Sequence, residues 1–299
     1  MRYRIACAVG LSFAFGTAFG DRLLVGQNSQ DLAGSIRNML SYELDGTNQQ
    51  VFIPMSSFGS GGIPVSCTEA PDGRILVPEW YYGGTYSNRL EIFNADGSDS
   101  STFVEDFGYG GSAVYRGADI LVSSFYGKIE RYSNSGQHLG VFASANLSGC
   151  GPIVQDFAGN IYRATNAHGV DKYDSAGNFL SYIYAHSFAD DLEFFGGNLY
   201  VASGSSAVKL STSGAVVQTF SVGTGRIDQL AVDNQGFLYA ATNSKQLFKF
   251  APDGTNLGVL ATLPARCSSL IIQHSAVPEP ASILALGGLA LVAIRKRRR

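Results

Sequence analysis

Four kinds of side chain in this 299-residue sequence could do chemistry: clustered aromatics, carboxylates, thiols and histidines. The aromatics are densest in Glu79-Trp80-Tyr81-Tyr82-Gly83-Gly84-Thr85-Tyr86, which holds the only Trp, and Phe125, Tyr126 and His168 recur in equivalent stretches further on. Exposed rings interleaved with polar groups suit stacking on sugars or covering a flat ligand, although the same rings could simply pack on one another. A hard divalent cation such as Ca²⁺ would need several oxygens meeting at one point. Glu69, Asp190, Asp191 and Asp228 are the candidates for such a set. Asp156 and Asp233 precede glycine turns and are expected to bond those turns instead. The histidines (His138, His168, His186 and His274) show no metal-ligand spacing, and no Ser-His-Asp order stands out. The glycines at 59–62 and 108–111 precede no helical pattern, so they read as turns and not as a phosphate cradle. No catalytic set emerges, and the expectation is a protein that binds without catalysing.

Composition fixes the fold class. The chain is 45% hydrophobic, 12% aromatic and 15% charged, with 36 Gly, 15 Tyr and 19 Phe. Many aromatics and turn residues with few charges favour an all-β domain and exclude a coiled coil or a disordered tail. Basic residues crowd the two ends. Between them, residues 21–276 hold 14 Lys and Arg against 23 Asp and Glu, a net charge of −9. Phosphate contacts need a basic face, so nucleic acid is not an expected partner.

The body repeats. A strand of the type Arg22-Leu23-Leu24-Val25 recurs at 74–77, 119–122, 160–163, 198–201 and 237–240. A second strand follows in each later copy, and then a turn glycine: Gly46, Gly97, Gly136, Gly177, Gly214 and Gly254, about 42 residues apart on average. A period of this length built from strands and turns reads as a β-propeller blade. Six copies imply six blades over residues 21–274. The first copy lacks an inner strand and the last is followed by a spare one, Ser268-Ser269-Leu270-Ile271-Ile272, which would pair into the first blade and close the ring. Repeat alignment places Cys67 and Cys267 in neighbouring blades, so they are the pair a disulfide would join in an oxidising compartment.

The best copy, Asp233-Asn234-Gln235-Gly236-Phe237-Leu238-Tyr239-Ala240, resembles the blade segment of NHL-type and gluconolactonase-like propellers. That resemblance implies ligands over the central channel and, in the gluconolactonase type, a channel metal. The alternative function is accordingly a metal-dependent hydrolase or lyase of gluconolactonase or streptogramin-lyase type. The metal ligands cannot be carried over position by position.

The ends read as sorting signals. Residues 1–20 combine a basic start, an apolar run and Ala18-Phe19-Gly20, the pattern of a cleaved signal peptide. At the other end, 275–299 holds Pro278-Glu279-Pro280, an apolar helix expected over 281–294, and Arg295-Lys296-Arg297-Arg298-Arg299. These three parts in this order resemble the PEP-CTERM sorting domain of exported proteins from Gram-negative bacteria that make exopolysaccharide. The resemblance implies processing by an exosortase, anchoring in the inner membrane by the helix until then, and a final place at the cell surface or in a biofilm matrix. Exopolysaccharide or an envelope protein is the expected partner.

Overall fold

The computed structural model describes residues 20–28, 37–58, 62–81, 88–105, 110–124, 127–144, 151–165, 167–185 and 189–274. The signal-peptide reading (all but Gly20), the sorting helix over 281–294 and the basic tail lie outside the described residues. Among the described residues no helix is long and apolar enough to cross a membrane. Residues 21–273 form one compact unit.

That unit is a six-bladed β-propeller. The first blade holds β1 (Arg22–Asn28), β2 (Met39–Glu43) and β3 (Gln50–Ile53). In the second, β4 (Gly62–Pro64) and β5 (Thr68–Glu69) share the inner position, followed by β6 (Ile75–Tyr81), β7 (Arg89–Phe93) and β8 (Ser100–Glu105). The third holds β9 (Gly110–Arg116), β10 (Asp119–Ser124), β11 (Lys128–Ser133) and β12 (His138–Ser144). The fourth holds β13 (Ile153–Gln155), β14 (Ile161–Thr165), β15 (Gly169–Tyr173) and β16 (Phe179–Tyr184). The fifth holds β17 (Leu192–Phe195), β18 (Asn198–Ser203), β19 (Ser206–Ser211) and β20 (Val216–Ser221). The sixth holds β21 (Ile227–Val232), β22 (Leu238–Thr242), β23 (Gln246–Phe250) and β24 (Asn256–Thr262). The last strand, β25 (Arg266–Gln273), pairs antiparallel with β1, from Arg22 opposite Gln273 to Asn28 opposite Arg266. It supplies the inner strand that the first blade lacks.

The core is divided among the blade interfaces. Side chains alternate along a strand, so a middle strand presents one set to the preceding blade and one to the next. On β1, Leu23 and Val25 join Tyr239, Ala241 and Leu247 of the sixth blade, while Leu24 joins Ile75 and Val77 of the second. Equivalent clusters fill the other four interfaces. This is why the middle strands read as near-continuous apolar runs in sequence.

The turns carry the repeat. In each blade the glycine between the third and fourth strands donates its N–H to the carbonyl three residues back, as in Gly177 to Asp174 (3.1 Å) and Gly214 to Ser211 (2.9 Å). These glycines have positive φ, +91° at Gly177 and +90° at Gly214. They also touch the preceding blade. A Cβ at Gly177 would lie 2.0 Å from the Phe142 carbonyl oxygen, and one at Gly214 would lie 2.0 Å from that of Ile183. Gly46 meets Leu260 of the sixth blade in the same way. The residue that punctuates the repeat is therefore also the point where each blade's turn seats on its neighbour.

Antiparallel pairing gives the ring two distinct faces. Loops entering the inner strands and loops joining second to third strands share one, here called upper. Turns joining first to second and third to fourth strands share the lower. The ends of the propeller meet on the lower face: Arg22 Nε donates to Gln273 Oε1 (2.7 Å), and the Gln273 amide donates to the Ala95 carbonyl (2.8 Å) in the β7–β8 turn.

Candidate functional site

A cavity of about 480 Å³ opens on the upper face, lined by Asn28, Asp190, Arg226, Asp228, Lys245 and Arg266, with Gln229, Asn243, Cys267 and Ser268. The lining residues come from strand ends and loops that the repeat brings to one face. Asp190 stands before β17, Arg226 before β21 and Arg266 at the start of β25. Lys245 lies in the β22–β23 turn and Asn28 at the end of β1. The wall is gathered from the first, fifth and sixth blades, segments far apart in sequence.

Charge pairing organises the cavity. Arg266 grips Asp228 with two hydrogen bonds, Nε to Oδ2 at 2.6 Å and Nη2 to Oδ1 at 2.8 Å. Arg226 donates to the same carboxylate from Nε (3.1 Å) and reaches Asp190 Oδ1 at 3.6 Å. Bidentate guanidinium–carboxylate pairs of this kind are the strong, oriented ones. The Arg226 backbone is held in turn by Asn243, whose Oδ1 accepts its N–H (3.1 Å). Burial raises the Asp190 pKa; Arg226 lowers it and Asp228 raises it further. Beneath the cavity Asp191 is buried, and its Oδ2 accepts the Leu230 N–H at 2.7 Å, tying the fifth blade to the sixth. Burial lifts its pKa to about 7 against the pull of the Leu230 and Leu192 N–H groups. Glu193 is likewise pushed well above the carboxylate range by burial and by Asp191.

The carboxylates expected to hold a divalent cation do not fit one. Asp228 already gives both oxygens to guanidinium groups and Asp190 faces Arg226. Glu69 pairs with Ile75 at the start of β6 and acts on Arg22, at the lower end of the ring. Among the described residues no three His, Cys, Asp or Glu side chains converge on a metal position. Sequence alone cannot say at which end of an inner strand a carboxylate falls, and that is where the grouping failed. Asp156 and Asp233 do bond their turns: Asp156 Oδ1 accepts from Ala158 and Asn160, and Asp233 Oδ1 from Gln235 and Phe237, each at 2.9 Å.

The expected disulfide is corrected as well. Cys67 and Cys267 are buried free thiols that meet at Ser269. Cys67 Sγ lies 2.7 Å from Ser269 Oγ, and Cys267 Sγ donates to the Ser269 carbonyl at 3.1 Å. Burial pushes both thiols up, Cys67 to about 12. Such thiols are inert small apolar groups.

The aromatic candidates divide. Strand β6 runs through Glu79 and Trp80 to Tyr81, because it pairs with β4, Ile63 opposite Trp80. The expected loop therefore begins as strand, with Trp80 half-buried in it. The Tyr81 side chain and Tyr82, Tyr86, Phe125 and Tyr126 lie outside the described residues. His168 packs on Tyr182 of the outer strand β16, ring centroids 4.3 Å apart. It thus serves the outer half of its blade rather than the cavity. Behind it, Arg163 is fully buried, donates to the Gly127 carbonyl (2.9 Å) and stands 3.5 Å from Asp171.

The comparisons with known proteins concern two parts of the chain. Residues 276–299 match the family model of the PEP-CTERM protein-sorting motif. The C-terminus is a PEP-CTERM sorting motif. It marks an exported protein, anchored at the membrane before an exosortase cleaves it. The propeller is similar to the crystal structure of a protein of unknown function from Bacteroides caccae, at 14% identity and a TM-score of 0.60, over 85% of this chain and 99% of that one. At that identity the likeness shows the fold alone. No curated protein matches the chain. The PEP-CTERM match begins three residues after β25 ends.

Proposed function

We propose that this chain is a non-catalytic binding module, secreted through a cleaved signal peptide, trimmed by an exosortase at Pro278-Glu279-Pro280 and displayed on the surface or in the extracellular matrix of a Gram-negative cell. Its ligand on this reading is exopolysaccharide or an envelope protein. The observation that carries it is the PEP-CTERM match over residues 276–299. The propeller itself offers a partner the polar cavity on its upper face. Asp190 and Asp228 engaged by guanidinium groups support binding in place of metal chemistry.

The test is to replace Pro278, Glu279 and Pro280 together by alanine in the full chain. Wild-type protein should reach the surface or matrix lacking the segment beyond the motif by intact mass. The variant should keep that segment and stay with the membrane fraction. Identical distribution of the two would sink the exosortase reading. Catalysis is tested separately by melting the protein with Ca²⁺ and with a chelator. No shift is expected, whereas a rise with the cation would favour the metal-dependent hydrolase or lyase, since a ligand of the native state must stabilise it.

A further inference from the structure

We infer that two copies of this chain associate side by side through the outer surface of the fourth and fifth blades, with Phe179, Leu180 and Tyr182 on β16 and Val216 and Val217 on β20 as the contact. This surface is separate from the upper cavity, and its use does not depend on what that cavity binds.

The first observation is an absence of charge where the propeller is most exposed. The fourth strand of each blade ends its sheet and has no further strand beside it. Natural sheets guard such edges with charged side chains, because an open edge associates readily with another chain. Here β3, β12, β16, β20 and β24 hold no Asp, Glu, Lys or Arg in thirty residues. At the chain's average of 15% they would hold four or five. The remaining outer strand, β8, carries Glu105 alone.

The second observation is what takes the place of charge. Twelve large apolar side chains are exposed among the described residues, and ten of them stand on these five strands. The densest group lies on β16 and β20, where Phe179, Leu180, Tyr182, Val216 and Val217 are each 48–61% exposed. They form one surface, because the Gly214 turn that leads into β20 seats on the Ile183 carbonyl of β16. Phe179 also packs against Tyr182, ring centroids 4.9 Å apart. Contiguous exposed apolar surface of this kind marks an interaction site.

The occupant follows from charge and from anchoring. Residues 21–276 carry a net charge of −9, so a second copy is repelled by most of the molecule and approaches closely only where charge is absent. A two-fold contact sets the patch against itself, apolar on apolar, and needs no second surface. The chain is anchored at the membrane before an exosortase cleaves it, which confines copies to one plane and raises their effective concentration. Five side chains from each copy make a small interface of the weak class. Association is therefore expected among anchored copies and not in dilute solution.

The experiment is Förster transfer between donor- and acceptor-labelled copies of the full chain in phosphatidylcholine vesicles, at a lipid excess that keeps random encounters rare. Wild type should show transfer well above the random level. Leu180→Glu with Val217→Glu should cut the associated fraction at least about tenfold, since like charges set face to face oppose contact. Ser101→Glu with Thr102→Glu adds the same charge to the polar outer strand β8 and should leave transfer unchanged. All four positions are exposed, so both variants should melt with wild type. Raising salt should strengthen transfer by screening the repulsion between the two bodies. Wild-type transfer at the random level would overturn the inference, as would equal loss in the two variants, no loss in the first, or weakening by salt. A label at position 217 shielded by lipid in place of protein would name the bilayer as the occupant, and would overturn it too.

Discussion

Gly214→Ala is expected to be among the most destabilising single substitutions in the propeller, lowering stability by about 3–5 kcal/mol from left-handed strain and overpacking together. The added methyl would sit at φ +90° and 2.0 Å from the Ile183 carbonyl oxygen, with the carbonyl carbon at 2.9 Å. Both contacts are backbone atoms of β16 in the preceding blade, so no side-chain rotation relieves them. Either the turn lifts off β16 or β16 leaves its own ladder. Gly177→Ala meets the Phe142 carbonyl in the same way and should behave alike. Gly117→Ala separates the two causes. It has φ +62° but open space around it, so it should cost about 1 kcal/mol from conformation alone. Melting curves should place Gly214→Ala roughly 6–15 °C below wild type and Gly117→Ala a few degrees below it. Equal losses in the two variants would mean that the seating of blade on blade contributes nothing beyond the turn.

That glycine also explains what was legible in the sequence. A turn that must have positive φ and must admit a neighbouring carbonyl leaves glycine at nearly fixed spacing, and the spacing revealed the number of blades. The apolar middle strands were legible for a related reason, since burial between two blades removes the polar alternation of a one-sided sheet. The cavity was not legible. Arg226 precedes one inner strand and Arg266 opens the next, one blade apart, and Lys245 lies in a turn between them in sequence. Nothing local distinguishes them from surface cations until the ring sets them around Asp228. Ser269 likewise hides between Cys67 and Cys267 in any one-dimensional alignment, and Glu69 shares a strand class with the upper-face carboxylates while lying at the other end. A PEP-CTERM motif, by contrast, is read linearly and was visible in full.

Asp191→Asn is expected to stabilise the protein, and to do so only when the solution is not acidic. The folded carboxyl has its pKa raised to about 7, chiefly by burial, with Asp190 adding to the rise. In the unfolded chain an aspartate titrates near about 3.9. Below that value both states hold the proton and Asp191 is neutral to stability. Between the two values the native state keeps a proton that the unfolded state has released, so stability falls by up to about 1.4 kcal/mol per pH unit. Above about 7 the full penalty of up to about 4 kcal/mol is in place. Asparagine carries no charge, and its oxygen can still accept the Leu230 N–H. The variant should therefore melt with wild type near pH 4 and well above it near pH 8. A residual decline should remain from Glu193, also raised by burial. The acid side of the profile belongs to other groups. Asp119 is held below the ordinary range by Arg116 and Arg131, and Asp156 by Asn160 and Tyr162, against the opposing effect of burial. Their stabilisation is present above about 3.9 and is lost as pH falls through their lower folded values, in wild type and variant alike. Parallel wild-type and variant melting profiles from pH 4 to 8 would refute the assignment. A divergence confined to the upper range would locate the alkaline loss in one carboxyl beneath the cavity, where it joins the fifth blade to the sixth.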